Sequence, residues 1–130
     1  METAGMPLRV VIVEDEPLIA LDLETILEDE GHIVVGTAAT TEAALGLARA
    51  NPDIDMAFVN VELACEPDGV EAARRLREEH DVGSLFVSAK LTDEVRARAR
   101  EWKPVGFVSK PFVRREILRA VDGLEPRPAA

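Results

Sequence analysis

The chain has 130 residues, room for one compact domain and little more, and 47% of them are hydrophobic, as a folded globule requires. A formal net charge of −10 argues against unaided attraction to nucleic acid, and a single cysteine, Cys65, excludes an internal disulfide or a thiolate metal cluster. No apolar run approaches the roughly 18 residues of a membrane span, and no basic-then-apolar leader opens the chain, so a cytoplasmic protein without membrane contact is expected.

Charge is unevenly spread. Residues 1–90 carry 6 Lys/Arg against 19 Asp/Glu, whereas residues 91–130 carry 9 against 6. Solvated helix faces account for this, or a mildly basic C-terminal surface suited to an acidic protein partner.

After a polar lead-in, residues 8–13 form a near-continuous apolar run that breaks into Glu14, Asp15 and Glu16. Such a run reads as a strand buried on both faces that delivers charge to a sheet edge. Pro17 suits a first helical turn, and a helix is expected over 17–30, with Ile19, Leu23, Ile26 and Leu27 inward and Gly31 as its stop. A second strand is expected at 33–36. Thr40 or Thr41 caps the next helix, whose apolar face is Ala43, Ala44, Leu45, Leu47 and Ala48, and Asn51-Pro52 ends it. The third strand, 55–59, runs into Asn60 and a loop to Gly69, where a helix to Glu79 begins with Val70, Ala73 and Leu76 inward. The fourth strand, 85–87, ends at Ser88; a helix capped by Thr92 follows, turns Leu91, Val95 and Ala99 to the sheet and closes at Pro104. The fifth strand, 105–109, meets Lys110-Pro111, and a last helix over 113–124 turns Ile117, Leu118 and Val121 inward. Residues 125–130 are expected to fray. Five strands alternating with five helices predict an α/β domain, a parallel sheet covered on both faces.

In open sheets of this kind, ligands bind beyond the carboxyl ends of the strands. Glu14 and Asp15 offer the hard oxygens that Mg2+ prefers, or they merely favour the helix that follows. Lys110 provides a point charge for a phosphoryl-like anion, or a structural ion pair, and Ser88 a hydroxyl donor.

Over residues 8–124 the chain resembles the receiver domains of two-component response regulators. The matching pieces are VVIVEDEPLIALDLETIL, DMAFVNV with the later DGVEAARRLR, LFVSA and GFVSKPF. The resemblance implies a single receiver domain with a doubly wound five-stranded parallel sheet, strand order 2-1-3-4-5, flavodoxin-like and CheY-like. It implies no enzymatic turnover. It implies Mg2+ held by Glu14, Asp15, the residue at position 60 and the backbone carbonyl of Glu62, with Ser88 and Lys110 addressing the phosphoryl group. It further implies a switch aromatic at Phe107, which ordinary core packing also explains, and a lysine–proline bond that is commonly cis. The partners implied are a histidine kinase or histidine phosphotransferase protein, an output protein on the face of the fourth helix, fifth strand and fifth helix, and a second copy in a homodimer. No direct nucleic-acid contact is implied.

Where the family carries its phosphoacceptor aspartate, this chain has Asn60, and a neutral amide is a poor nucleophile. Phosphotransfer there is not expected, and Mg2+ affinity should be weakened or lost. Asn60 belongs to a divergent receiver or is one substitution in an ordinary one; retention of Asp15, Ser88 and Lys110 fits the single change somewhat better. The alternative function is a phosphorylation-independent adaptor. A phosphohydrolase lacks its nucleophile here, and a flavin site lacks a Gly/Ser/Thr-rich phosphate loop after the first strand. On the basic face, Trp102 is a partner anchor or packs locally beside Arg96, Arg98, Arg100, Arg114, Arg115 and Arg119, and His32 and His80 read as solvated residues at helix ends.

Overall fold

The computed structural model describes residues 6–127. Five parallel strands, β1 (Arg9–Val13), β2 (Ile33–Ala38), β3 (Met56–Val59), β4 (Gly83–Ser88) and β5 (Gly106–Ser109), stand in the order β2-β1-β3-β4-β5. Between and after them run α1 (Pro17–Asp29), α2 (Thr41–Ala50), α3 (Gly69–His80), α4 (Asp93–Arg100) and α5 (Arg114–Val121).

Alternation along the central strands splits the interior in two. Val11, Val13, Ala57, Val59 and Phe86 face α2, α3 and α4, while Val10, Ile12, Met56, Phe58 and Leu85 face α1 and α5. With both faces covered, β1, β3 and β4 sit at the centre and read as apolar throughout, which is why they were legible in the sequence.

Helix starts follow local chemistry. Thr40 accepts a hydrogen bond from Ala43 N at 3.1 Å and Thr92 one from Val95 N at 3.2 Å, as expected of capping threonines. Asp68 caps α3 in the same way through Glu71 N. At the end of α1, Gly31 takes φ +90, a conformation that residues with a Cβ adopt at a cost.

Several expectations need correction. β2 continues to Ala38, because it keeps its ladder with β1 along the whole length of that strand. Ala43 is exposed and contributes nothing to the apolar face of α2. α4 ends at Arg100, and Lys103 turns with φ 53 before Pro104 is reached. α5 stops at Val121, and Gly123 reverses the chain at φ +85. The described part of the tail is tied down: Arg127 N donates to Asp55 Oδ1 at 2.8 Å, and its guanidinium reaches the carbonyls of His80, Asp81 and Pro52. Residues 128–130 lie outside the described residues. His32 is half-buried rather than solvated, and its Nδ1 accepts from Leu8 N at 3.0 Å. Trp102 takes the local option: it packs against the α2–α4 side of the core, with the Arg74 guanidinium over its ring.

Candidate functional site

Three side chains leave the sheet from backbone that the ladder still grips. Glu14 follows β1, and its N–H donates to Ala38 O at 2.8 Å; Asn60 follows β3 and donates to Val13 O at 2.9 Å; Lys110 follows β5 and donates to Ser88 O at 3.0 Å. Each lies one residue past its strand yet is anchored as firmly as a strand residue. The parallel register therefore fixes where these groups meet.

They meet closely. Asn60 Nδ2 donates to Glu14 Oε2 at 3.2 Å and to the Glu62 carbonyl at 2.6 Å. The same Glu14 oxygen accepts Glu16 N at 3.2 Å, and the other, Oε1, has Lys110 Nζ at 2.8 Å. The side chain of Glu14 is 2% exposed and that of Lys110 11%, so this ion pair is screened little by solvent. Burial pushes the Glu14 carboxyl above the ordinary carboxylate range, and the Lys110 ammonium and the Glu16 N–H recover part of that shift.

A cavity of about 260 Å3 opens over this cluster, lined by Asp15, Glu16, Asn60, Glu62, Ala64 and Lys110 among others. Of the residues expected at the site, Asp15, Asn60, Glu62 and Lys110 line it, and Glu14 forms its buried floor through Asn60 and Lys110. Ser88 and Phe107 do not line it. Ser88 is buried, and its Oγ accepts Lys90 N at 3.1 Å, so the hydroxyl braces its own loop. Phe107 is half-buried, stacked on Phe86 with ring centroids 5.7 Å apart and covered by the Arg96 guanidinium at 4.8 Å. The Lys110–Pro111 peptide is cis.

Two contributors escaped the reading of the sequence. Glu16 makes no side-chain cap for α1; its Oε2 lies 3.7 Å from Lys110 Nζ at the cavity edge. The acidic run of Glu14, Asp15 and Glu16 held that signal, but only its first two members were singled out. Gly69 is the other, since a Cβ there would stand 2.0 Å from the Asn60 carbonyl oxygen. Only a residue without a side chain lets α3 start so close to the end of β3.

An edge of oxygens beyond a doubly wound parallel sheet, closed by a lysine from the last strand, defines the class. The family model described as response regulator receiver domain matches residues 10–122, and the chain belongs to that family, the signalling domain of two-component response regulators. It is 32% identical over 109 residues to the phyllosphere-induced regulator PhyR of Methylorubrum extorquens, covering 84% of this chain and 40% of that protein. It is 29% identical over 119 residues to the transcriptional regulatory protein PdtaR of Mycobacterium tuberculosis, covering 92% of this chain and 57% of that one. The chain thus spans about half the length of these relatives. Among solved structures, the signal receiver domain of a modulated diguanylate cyclase from Desulfovibrio desulfuricans superposes with a TM-score of 0.81 at 31% identity, over 89% of this chain and 91% of that one.

Proposed function

We propose that this receiver domain works in phosphorelay signalling without accepting phosphoryl at the end of β3, because Asn60 occupies the acceptor position. The observation that carries this reading is the direction of the Asn60 amide. Its Nδ2 donates to Glu14 and to the Glu62 carbonyl, two of the groups that would otherwise hold a cation. A neutral donor thus satisfies acceptors that an aspartate would repel, and the amide offers no anionic oxygen for attack on phosphorus.

The donor set fits Mg2+ only in weakened form. Glu14, Asp15, the Glu62 carbonyl and Asn60 Oδ1 would hold the ion, and to do so the amide must turn over and give up both hydrogen bonds. When bound, the ion supplies positive charge to phosphoryl oxygens. Lys110, already engaged by Glu14, adds a second positive group at the same mouth. The partners of this reading are a histidine kinase or histidine phosphotransferase protein on the input side and a protein docked on α4, β5 and α5 on the output side.

The test is intact-mass measurement after incubation with acetyl phosphate and Mg2+. The chain should stay unmodified, and Asn60→Asp should gain one phosphoryl group as the carboxylate oxygen displaces acetate from phosphorus. A stable phosphoryl adduct on the unsubstituted chain would overturn the proposal. The second reading, a phosphorylation-independent adaptor, rests on the self-satisfied hydrogen bonding of the site. It requires equal output-partner affinity for the chain and for phosphorylated Asn60→Asp, and binding by the phosphorylated variant alone would eliminate it.

A further inference from the structure

We propose that the groove between the end of α1 and α5 binds a small amphiphilic carboxylate, an aliphatic body carrying one anionic head. The groove measures about 970 Å3, at the upper end of the range of small-molecule pockets, about 300–1,000 Å3. Pockets of that kind have mostly apolar walls and a few well-placed polar groups. Met6, Val113, Leu118 and Leu124 supply apolar wall here. Leu118 and Leu124 are packed against the α1–α5 half of the core, so the part of the wall they form is held in place. Met6 and Val113 are exposed beside them, and apolar surface gathered in one concavity marks a contact site, whereas scattered residues would need no explanation.

The charge left over on the lining is positive. Arg115 and Arg119 stand four residues apart on one face of α5, both exposed, and like charges at that spacing repel. Acids are not scarce, since the chain has 25 Asp and Glu against 15 Lys and Arg. Yet Arg115 and Arg119 make no ion pair among the described residues, whereas Arg114 is held by Asp29 at 3.4 Å and Glu30 at 3.7 Å. That bridge takes up Glu30, one of the two acids on the lining, and leaves Asp122 alone against two guanidiniums. The third donor is His32. Its Nδ1 accepts the Leu8 N–H at 3.0 Å, so the neutral ring carries its proton on Nε2, which has no hydrogen-bond partner among the described residues.

A guanidinium fork matches a carboxylate with two parallel hydrogen bonds, and the histidine N–H adds a donor from the α1 side. A bare anion would leave the apolar wall in water, and a neutral alkyl chain would leave the guanidiniums unpaired. A molecule with both parts satisfies both. A larger acidic partner would also meet the flank of α1, which holds four acids in its 13 residues and no Lys or Arg, so the favourable charge is confined to the groove. The assignment does not depend on the reading of Asn60.

Solution NMR of the full chain titrated with sodium octanoate at about pH 7.5 tests this. The expected result is saturable binding with a Kd of about 1 mM or tighter, in which the Leu118 methyls, the Arg119 Nε–H and the His32 ring shift together. Octan-1-ol, which has the tail alone, and acetate, which has the head alone, should each bind at least about tenfold more weakly. Arg115→Gln with Arg119→Gln should raise the octanoate Kd at least about tenfold. Both positions are exposed, and unchanged circular dichroism and melting temperature verify folding. No saturable shift below about 10 mM, shifts centred elsewhere, equal affinity for octan-1-ol or for acetate, or an unchanged Kd in the folded double variant would each overturn the proposal. So would a glutamate-rich peptide that binds the groove more tightly than octanoate, since that result assigns the surface to a protein partner.

Discussion

Replacing Gly69 by alanine tests the packing that sets Asn60 in place. The added Cβ would lie 2.0 Å from the Asn60 carbonyl oxygen, 2.8 Å from its carbon and 2.9 Å from Val59 Cγ1. Restoring even a tight contact requires backbone to move by about 1 Å, and two of the three neighbours are main-chain atoms that cannot swing aside. Overpacking of this kind costs about 1–3 kcal/mol, and backbone opposition puts Gly69→Ala toward the upper end. Part is offset because alanine suits a helix better than glycine by up to about 1 kcal/mol. A net loss of about 2 kcal/mol follows, or roughly 4–10 °C in Tm for a domain of this size. The assay is urea unfolding with the Asn60 side-chain amide followed by NMR; the Cm should fall and that resonance should move as its bonds to Glu14 and Glu62 shift. Gly46→Ala is the control. Its Cβ would meet nothing nearer than Arg49 at 3.9 Å, and it should leave stability unchanged or raise it. Equal stability of Gly69→Ala and the parent, with the amide resonance unmoved, would refute the reasoning.

His32 should make stability depend on pH. Burial holds its imidazole below the ordinary value of 6.5, and its Nδ1 must stay unprotonated to accept Leu8 N–H. As pH falls through about 6.5 the unfolded chain takes up the proton first, so this contribution is complete above that pH and declines below it until the folded imidazole protonates too. The drop in unfolding free energy between about pH 7.5 and about pH 5.5 should therefore be smaller in His32→Asn than in the parent, and equal drops would contradict it. Arg127→Ala should lower stability by about 1–2 kcal/mol, since it strips three carbonyls at the lower sheet edge of their donor, and an unchanged melting temperature would show that the tail contributes nothing.

Local chemistry made most of the fold readable. Apolar runs ending in polar groups marked β1, β3 and β5, threonines before acidic turns marked α2 and α4, and Gly31 marked a stop. What the sequence concealed were pairings across long separations. Asp55 reads as the first residue of the third strand; it stands just ahead of β3 and accepts Arg9 N and Arg127 N, 46 and 72 residues away. His32 looks like a helix-end histidine because the backbone that needs its lone pair, the Leu8 N–H, lies just ahead of β1, 24 residues away. The site was half legible for a similar reason. Residue type and strand ends pointed to Glu14, Asp15, Asn60 and Lys110, but which oxygen of Glu14 faces which partner depends on register. Ser88 was expected to face a ligand, and its hydroxyl instead accepts the N–H two residues ahead, a local bond that competes with any outward role.

Phe107 has two flat partners, the buried Phe86 ring of the neighbouring strand and the Arg96 guanidinium of α4. An aromatic held by two such partners does not swivel freely, since one of them must first come away. Phe86 belongs to the packed centre of the sheet and Arg96 to a surface helix, so the arginine is the partner that yields. A protein that draws Arg96 off with a carboxylate would then uncover the ring as an apolar foothold in the same motion. Charge recognition and hydrophobic adhesion would thus be coupled through a single side chain.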